Sequence, residues 1–191
     1  MESARILVAM ANDASISKLK AVLAESGYEA IDHAKDGNEC LRKIRYLRPD
    51  LAVLDYNLPP TNGFEIAKIV AEDKLCDVIL LVNNEQRNSV ECVKSGYDVV
   101  TVTKPLSRYS FINTVDLVIK SRRKIMKLEK EIDELKKALD ARKDIERAKG
   151  LLMKNLGLTE DQAFRKIQKQ SMDRGIPMKE IARAIILAYD I

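Results

Sequence analysis

The chain has 191 residues, 46% of them hydrophobic and 32% charged, with a formal net charge of +4. That balance suits one ordinary domain plus a smaller one with real apolar cores, and apolar runs such as Val78–Val82 are too short to span a bilayer. The charge is uneven: residues 120–191 hold 19 Lys/Arg against 12 Asp/Glu, a net of +7, and residues 1–119 hold 14 against 17, a net of −3. Such an asymmetry is expected where one end of a protein meets a polyanion.

In chain order, MESARILV has no basic segment leading into a long apolar stretch, so no signal peptide is read and a cytoplasmic location without a membrane partner is expected. Arg5–Ala9 predicts a buried strand, and Ile16, Leu19, Val22 and Leu23 a helix ended by Gly27. Tyr28–His33 reads as a strand and Asn38–Tyr46 as a helix stopped before Pro49. Leu51–Leu54 is a strand, Phe64–Ala71 a helix, Val78–Val82 a strand and Glu85–Ser95 a helix. Val99–Val102 is a last strand before Lys104-Pro105, with a helix from about Ser107. Five short apolar strands alternating with five helices predict an α/β fold, a doubly wound five-stranded parallel sheet buried on both faces. Cys40, Cys76 and Cys92 lie far apart with no CxxC spacing, and His33 is the only histidine. Reduced buried thiols are therefore expected, with no metal site and no cofactor.

Past Ile112 the strand signals stop. Val118, Ile125, Leu128, Ile132, Leu135 and Leu139 keep the 3,4 spacing of a heptad seam, with Ser121 its one polar gap, and charged residues of both signs fill the flanks. One isolated helix cannot bury so narrow a seam, so pairing into a homodimeric coiled coil through Ile125, Leu128, Ile132, Leu135 and Leu139 is expected. The other reading is a long helix packed back on its own body. Arg142 and Glu146 fall on seam positions, so the coil should end near them.

The remainder predicts three helices. The first runs from about Asp144 to Asn155 and stops at Gly157. Thr159 with Gln162 is a capping-box signature for the second, which buries Ala163, Phe164, Ile167 and Met172 and ends near Gly175. Pro177 opens the third, with Ile181, Ala182, Ile185, Ile186 and Tyr189 on its apolar face. Met153, Phe164, Met172 and Ile186 read as core at helical spacing. The expected organisation is thus an α/β domain over 1–112, a coiled-coil helix over 113–143 and a small three-helix all-α domain over 144–191.

The text DLAVLDYNLPPTNGFE around Asp55 resembles the phosphoacceptor segment of two-component receiver domains: an apolar strand, an aspartate at its carboxyl end, Leu-Pro, then Gly63. Lys104-Pro105 matches the receiver's Lys-Pro. The resemblance implies the flavodoxin-like receiver fold, with Asp55 and Lys104 meeting at the carboxyl edge of the sheet. It also implies two acidic Mg²⁺ ligands after the first strand, but those positions are Met10 and Ala11. Asn12 and Asp13 would serve only after a two-residue slip of the turn. The position of the receiver's switch hydroxyl is Val82, followed by Asn83 and Asn84. The expected aromatic of the fifth strand falls near Thr101, and the segment from Gly96 to Lys104 is one residue longer than usual. These departures together predict a pseudo-receiver that keeps the fold and not the chemistry, with Asp55 an ion partner of Lys104. Phosphorylation would then give way to a sensor or sequestering protein on the receiver face.

The text IERAKGLLMKNLGLTEDQAFRKIQKQSMDRGIPMKEIARAII resembles the ANTAR family, through Ala148-Lys149-Gly150, Leu152-Met153, Gly157, Glu160, Ala163-Phe164, Ser171-Met172 and Ile181-Ala182. The resemblance implies a non-enzymatic response regulator that binds paired hairpins in nascent leader RNA and prevents formation of a terminator. Arg147, Lys149, Gly150, Lys154, Arg165, Lys166, Lys169, Ser171 and Arg174 are the expected RNA-binding residues, with Lys179 and Arg183 adding charge. Gly150 inside a helix costs about 1 kcal/mol against Ala, so it needs a close approach, either of another helix or of RNA. Ser171 either bonds a base or caps its helix. Rival readings are a DNA-binding response regulator and a protein–protein regulator with a dimerisation tail. Neither an Arg/Asn/Gln-rich recognition helix nor a nucleophile–base pair is evident.

Overall fold

The computed structural model describes residues 4–93, 97 and 99–189. The chain divides into two compact units, Met1–Lys124 and Ile125–Ile191. In the first, strands β1 (Arg5–Ala9), β2 (Glu29–Ala34), β3 (Leu51–Asp55), β4 (Asp77–Val82) and β5 (Val99–Thr103) form one sheet in the order β2-β1-β3-β4-β5. Every neighbouring pair is parallel.

Alternation along the strands divides the core in two. Leu7, Ala52, Leu54, Val78 and Leu80 face one cluster with Ile44 of α2 (Gly37–Leu47) and Phe64 and Val70 of α3 (Gly63–Glu72). Ile6, Val8, Val53, Ile79 and Leu81 face the other, with Leu19 and Leu23 of α1 (Asp13–Glu25) and Phe111 and Val115 of α5 (Arg108–Leu156). Helices on both faces bury the inner strands β1, β3 and β4 almost throughout, which is why they read as apolar runs, while the edge strands β2 and β5 are only partly buried. α4 (Asn84–Val93) completes the helical layers, and the expected end of that helix at Ser95 lies outside the described residues, as does the Cys92 side chain. Cys40 and Cys76 are buried free thiols, each pushed up to about 12 chiefly by that burial.

Local chemistry sets the helix ends. The side chains of Asn12, Asp36 and Asn62 accept backbone N–H groups at the starts of α1, α2 and α3. Arg48 closes α2 in a left-handed conformation at φ 45°, directly before Pro49.

The C-terminal part departs from expectation in two respects, its helix boundaries and the residues it buries. No helix boundary occurs near Ile112 or Asp144, because α5 runs unbroken for 49 residues from Arg108 to Leu156. Between Pro105 and Gly150 there is neither Gly nor Pro, and the stretch is rich in Lys, Glu, Arg and Leu, so nothing interrupts a strong helical preference. The end of α5 is thus the first helix of the small bundle. α6 (Glu160–Arg174) opens on the Thr159–Gln162 capping box and closes at Gly175, φ 64°, and α7 (Met178–Tyr189) starts directly after Pro177. Their shared core is small: Ala148, Leu152, Ala163, Ile167, Ile181 and Ala182 are buried, with Ile185 and Ile186 packed at its edge. Met153, Phe164 and Met172, expected inside, are exposed, Phe164 by 39% and Met172 by 75%. On α6 the buried stripe is only as wide as Ala163 and Ile167, and Met172 falls on the opposite side of the helix.

Candidate functional site

Asp55 stands at the carboxyl end of β3, only 9% exposed. One carboxylate oxygen accepts the Asn57 backbone N–H at 3.0 Å, and the other accepts the Lys104 ammonium at 2.6 Å. Lys104 is held in place by its own N–H on the Val82 carbonyl at 2.8 Å and precedes a cis Pro105. The loop after Asp55 turns sharply back: Gly63 N–H bonds the Tyr56 carbonyl at 2.7 Å. A Cβ on Gly63 would lie 2.0 Å from the Asp55 carbonyl oxygen, so only glycine fits there.

Asn57 and Gln86 complete this cluster and were not singled out from sequence. Gln86 donates to the Asn57 side-chain oxygen at 3.1 Å and accepts the Asn83 N–H at 2.8 Å, linking the β3–α3 and β4–α4 loops. The only sequence signal was the polar run Asn83-Asn84 beside a buried strand.

A receiver fold implies Mg²⁺ beside the aspartate, and these residues do not fit it. Met10 and Ala11 follow β1, and the Met10 N–H bonds the Ala34 carbonyl at 3.0 Å, which fixes the turn register without a slip. Asn12 spends its side-chain oxygen on the Ser15 N–H, and the Asp13 carboxylate is taken by Lys35 at 2.8 Å. Val82, at the switch position, is fully buried. Among the described residues no group of three His, Cys, Asp or Glu side chains is placed to hold a metal ion. A hard cation needs carboxylate and water oxygens, and a thioether supplies neither.

In the second unit, the outward face of α5 carries Arg147, Gly150 and Lys154 at 3,4 spacing, all exposed. Nothing in the described chain lies within 4 Å of where a Gly150 Cβ would stand, so close helix packing does not explain that glycine. On α6, Arg165, Lys166, Lys169 and Arg174 are exposed; Arg165 pairs with Asp161 at 3.0 Å, and the other three meet no carboxylate among the described residues. Of the two further bundle cations, Arg183 pairs with Asp144 at 3.0 Å and Lys179 is half-buried.

Two expected RNA contacts are committed elsewhere. Lys149 is 7% exposed, and its ammonium reaches Glu160 at 2.7 Å and both oxygens of Glu146 at 3.0 Å. It ties α5 to the start of α6 and is drawn inward because its two acceptors flank the core. The hydrogen bond from Lys149, and then its charge, hold Glu160 below the usual carboxylate value. The Ser171 hydroxyl donates to the Ile176 carbonyl at 2.5 Å, closing α6, which is the capping role of the two left open. Along α5 the seam residues Ile125, Leu128, Ile132, Leu135 and Leu139 are exposed by 46 to 70%.

Comparison with known proteins fits both units. A response regulator receiver domain model matches residues 6–116, and an ANTAR domain model matches residues 133–186. The transcriptional regulatory protein PdtaR of Mycobacterium tuberculosis is 33% identical over 182 residues, covering 95% of this chain and 89% of the relative. Among solved structures, the Francisella response regulator 1452 receiver domain covers 62% of this chain and 98% of its own, at 29% identity and a TM-score of 0.55. A CheY-like receiver domain protein from Methanospirillum hungatei JF-1 covers 64% and 98% at 23% identity and a TM-score of 0.57, a likeness of fold. No helix of the described residues is long and apolar enough to cross a membrane. A receiver sheet and an ANTAR bundle in one chain, with a full-length relative of the same order, show that the chain belongs to the ANTAR-domain response regulators.

Proposed function

We propose that the protein is an RNA-binding transcription antiterminator that holds hairpins in nascent leader RNA and is governed by partner binding rather than by phosphorylation. The observation that carries the RNA reading is Gly150. A helix-interior glycine costs about 1 kcal/mol against Ala, no part of the described chain approaches it, and Arg147 and Lys154 flank it on the same face. That combination suits a sugar–phosphate backbone lying against a helix, with Arg165, Lys166, Lys169 and Arg174 adding charge from α6. The seam from Ile125 to Leu139 would pair two chains, with residues 113–143 as the coil between a receiver-like body over 1–112 and an RNA-binding bundle over 144–191. Two bundles on one transcript then reinforce each other through effective concentration. The missing carboxylates after β1 leave Asp55 as the ion partner of Lys104, and the receiver face as the docking surface for a sensor or sequestering protein.

The test is a gel shift of the full chain on a two-hairpin leader RNA, against duplex DNA of the same sequence and with heparin as competitor. Preferential RNA binding is expected, weakened about tenfold by Gly150→Ala while helicity rises. Equal retention of hairpin RNA, duplex DNA and heparin refutes the RNA reading. For the receiver half, incubation with Mg²⁺ and a small acyl phosphate should leave the mass of the Asp55 peptide unchanged, and a stoichiometric shift overturns the pseudo-receiver reading.

A further inference from the structure

A cavity of about 370 Å³ opens beside Asp55, between α1 and the start of α5. Its size lies within the roughly 300–1,000 Å³ range of small-molecule sites. Its accessible apolar lining comes from Val22, Pro105 and Leu106, over the buried Met10, Leu19 and Phe111 of the sheet–helix core. Its polar lining comes from Ser15, Lys18 and Arg108, with the Asp55–Lys104 pair as one wall.

The charges in this lining do not cancel. Lys104 is neutralised by Asp55 at 2.6 Å, and Arg108 by Glu25 at 2.5 Å. Lys18 is exposed on α1 and meets no carboxylate among the described residues. The balance is one positive charge at the rim of an apolar pocket. In place of a receiver's metal-binding carboxylates stands Met10, whose flexible thioether shapes itself to an organic surface and offers no oxygen ligand to a hard cation.

We propose that this pocket binds a small amphipathic monoanion, its carboxylate paired with Lys18 and its apolar body resting on Val22, Pro105 and Leu106 above Met10. The ligand contacts Arg108 at the start of α5, so occupancy acts on the helix that carries the seam. The proposal is independent of the RNA reading, since neither measurement below involves RNA.

The experiment uses the full chain with isotope-labelled methionine methyl groups and follows the Met10 resonance by NMR. The probe is naphthoate, with the neutral naphthalene carboxamide and acetate as controls. Naphthoate is expected to shift the Met10 methyl saturably while Met153 and Met172 stay still. The carboxamide should bind about five- to tenfold more weakly, as should naphthoate to Lys18→Gln, because each removes one charge-assisted hydrogen bond. Acetate, which lacks the apolar body, should leave Met10 unmoved. A still Met10 under naphthoate overturns the site. Equal affinity for acid and amide, or unchanged affinity in Lys18→Gln, overturns the role of the cation. An acetate shift matching that of naphthoate overturns the role of the apolar lining.

Discussion

Each unit draws a lysine out of solvent onto a carboxylate, Lys104 onto Asp55 in the first and Lys149 onto Glu160 and Glu146 in the second, yet the two pairs sit in very different surroundings. The first lies at the edge of a sheet whose inner strands are buried on both faces between two large apolar clusters. The second lies in a bundle with six fully packed apolar residues, and with Met153, Phe164, Met172 and Leu187 turned outward. In the first unit the two large clusters supply most of the packing, and the Lys104 pair stands at the rim of the sheet. In the second, little surface is buried and the ion pair shares in setting how α5 meets α6.

Core truncation gives the largest test of that contrast. Leu80→Ala in the receiver sheet and Leu152→Ala in the bundle each remove a fully packed leucine, worth about 2–5 kcal/mol. The same loss weighs far more on the small core. Hydrogen exchange on the full chain should show α6 and α7 deprotected in Leu152→Ala while β1, β3 and β4 stay protected. Equal loss across both units would break the comparison. Gly63→Ala comes next. Its Cβ would meet the Asp55 carbonyl at 2.0 Å, so the loop must shift, at a cost of about 1–3 kcal/mol in denaturant unfolding. The bundle's exchange pattern should not change.

On the proposed RNA face the expected effects are smaller and additive. Lys154→Ala and Lys169→Ala should each weaken hairpin binding several-fold and reduce the salt slope by about 0.7–0.9 for every phosphate no longer neutralised. Lys149→Met should weaken binding with an unchanged slope, because the buried ammonium positions helices and touches no phosphate. A reduced slope in Lys149→Met would return that lysine to the RNA face.

Most of the receiver half was legible in the sequence. Its inner strands are buried on both faces, so they stand out as apolar runs, and Pro49 and Gly27 mark helix ends by local chemistry. Asp55 and Lys104 were paired from motif alone, and the two side chains do meet. The second unit was less legible for two physical reasons. Periodicity marks a stripe but not its width, so Phe164 and Met172 were assigned to a core that only Ala163 and Ile167 of α6 fill. Lys149 was read as surface because its partner Glu160 belongs to another helix, a pairing that spacing along one helix does not reveal. Gln86 and Asn57 went unnoticed for the same reason, being joined across two loops.

The smallest effect concerns pH, and it separates the two units by which ion pair sets the acid slope of each. Glu160 is held below its usual 4.5 by the hydrogen bond from Lys149 and then by its charge. A carboxylate lowered in the folded state stabilises above its unfolded value, and that contribution is lost as pH falls through the folded one. Lys149 is raised above 10.5 by Glu160 and then Glu146, so its contribution is complete below that value and lost as pH rises through the folded one. The bundle should therefore melt at lower temperature once the pH drops below about 4.5, with Lys149→Met removing that part of the slope. The receiver unit has its own acid-sensitive carboxylate, Glu39, lowered first by the Lys35 N–H and then by Lys43, and its acid slope should survive Lys149→Met intact. Following amides of α6 and of α2 separately through the same acid titration distinguishes the two. If Lys149→Met flattened both slopes, the ion pair would belong to a single cooperative body and not to the bundle alone.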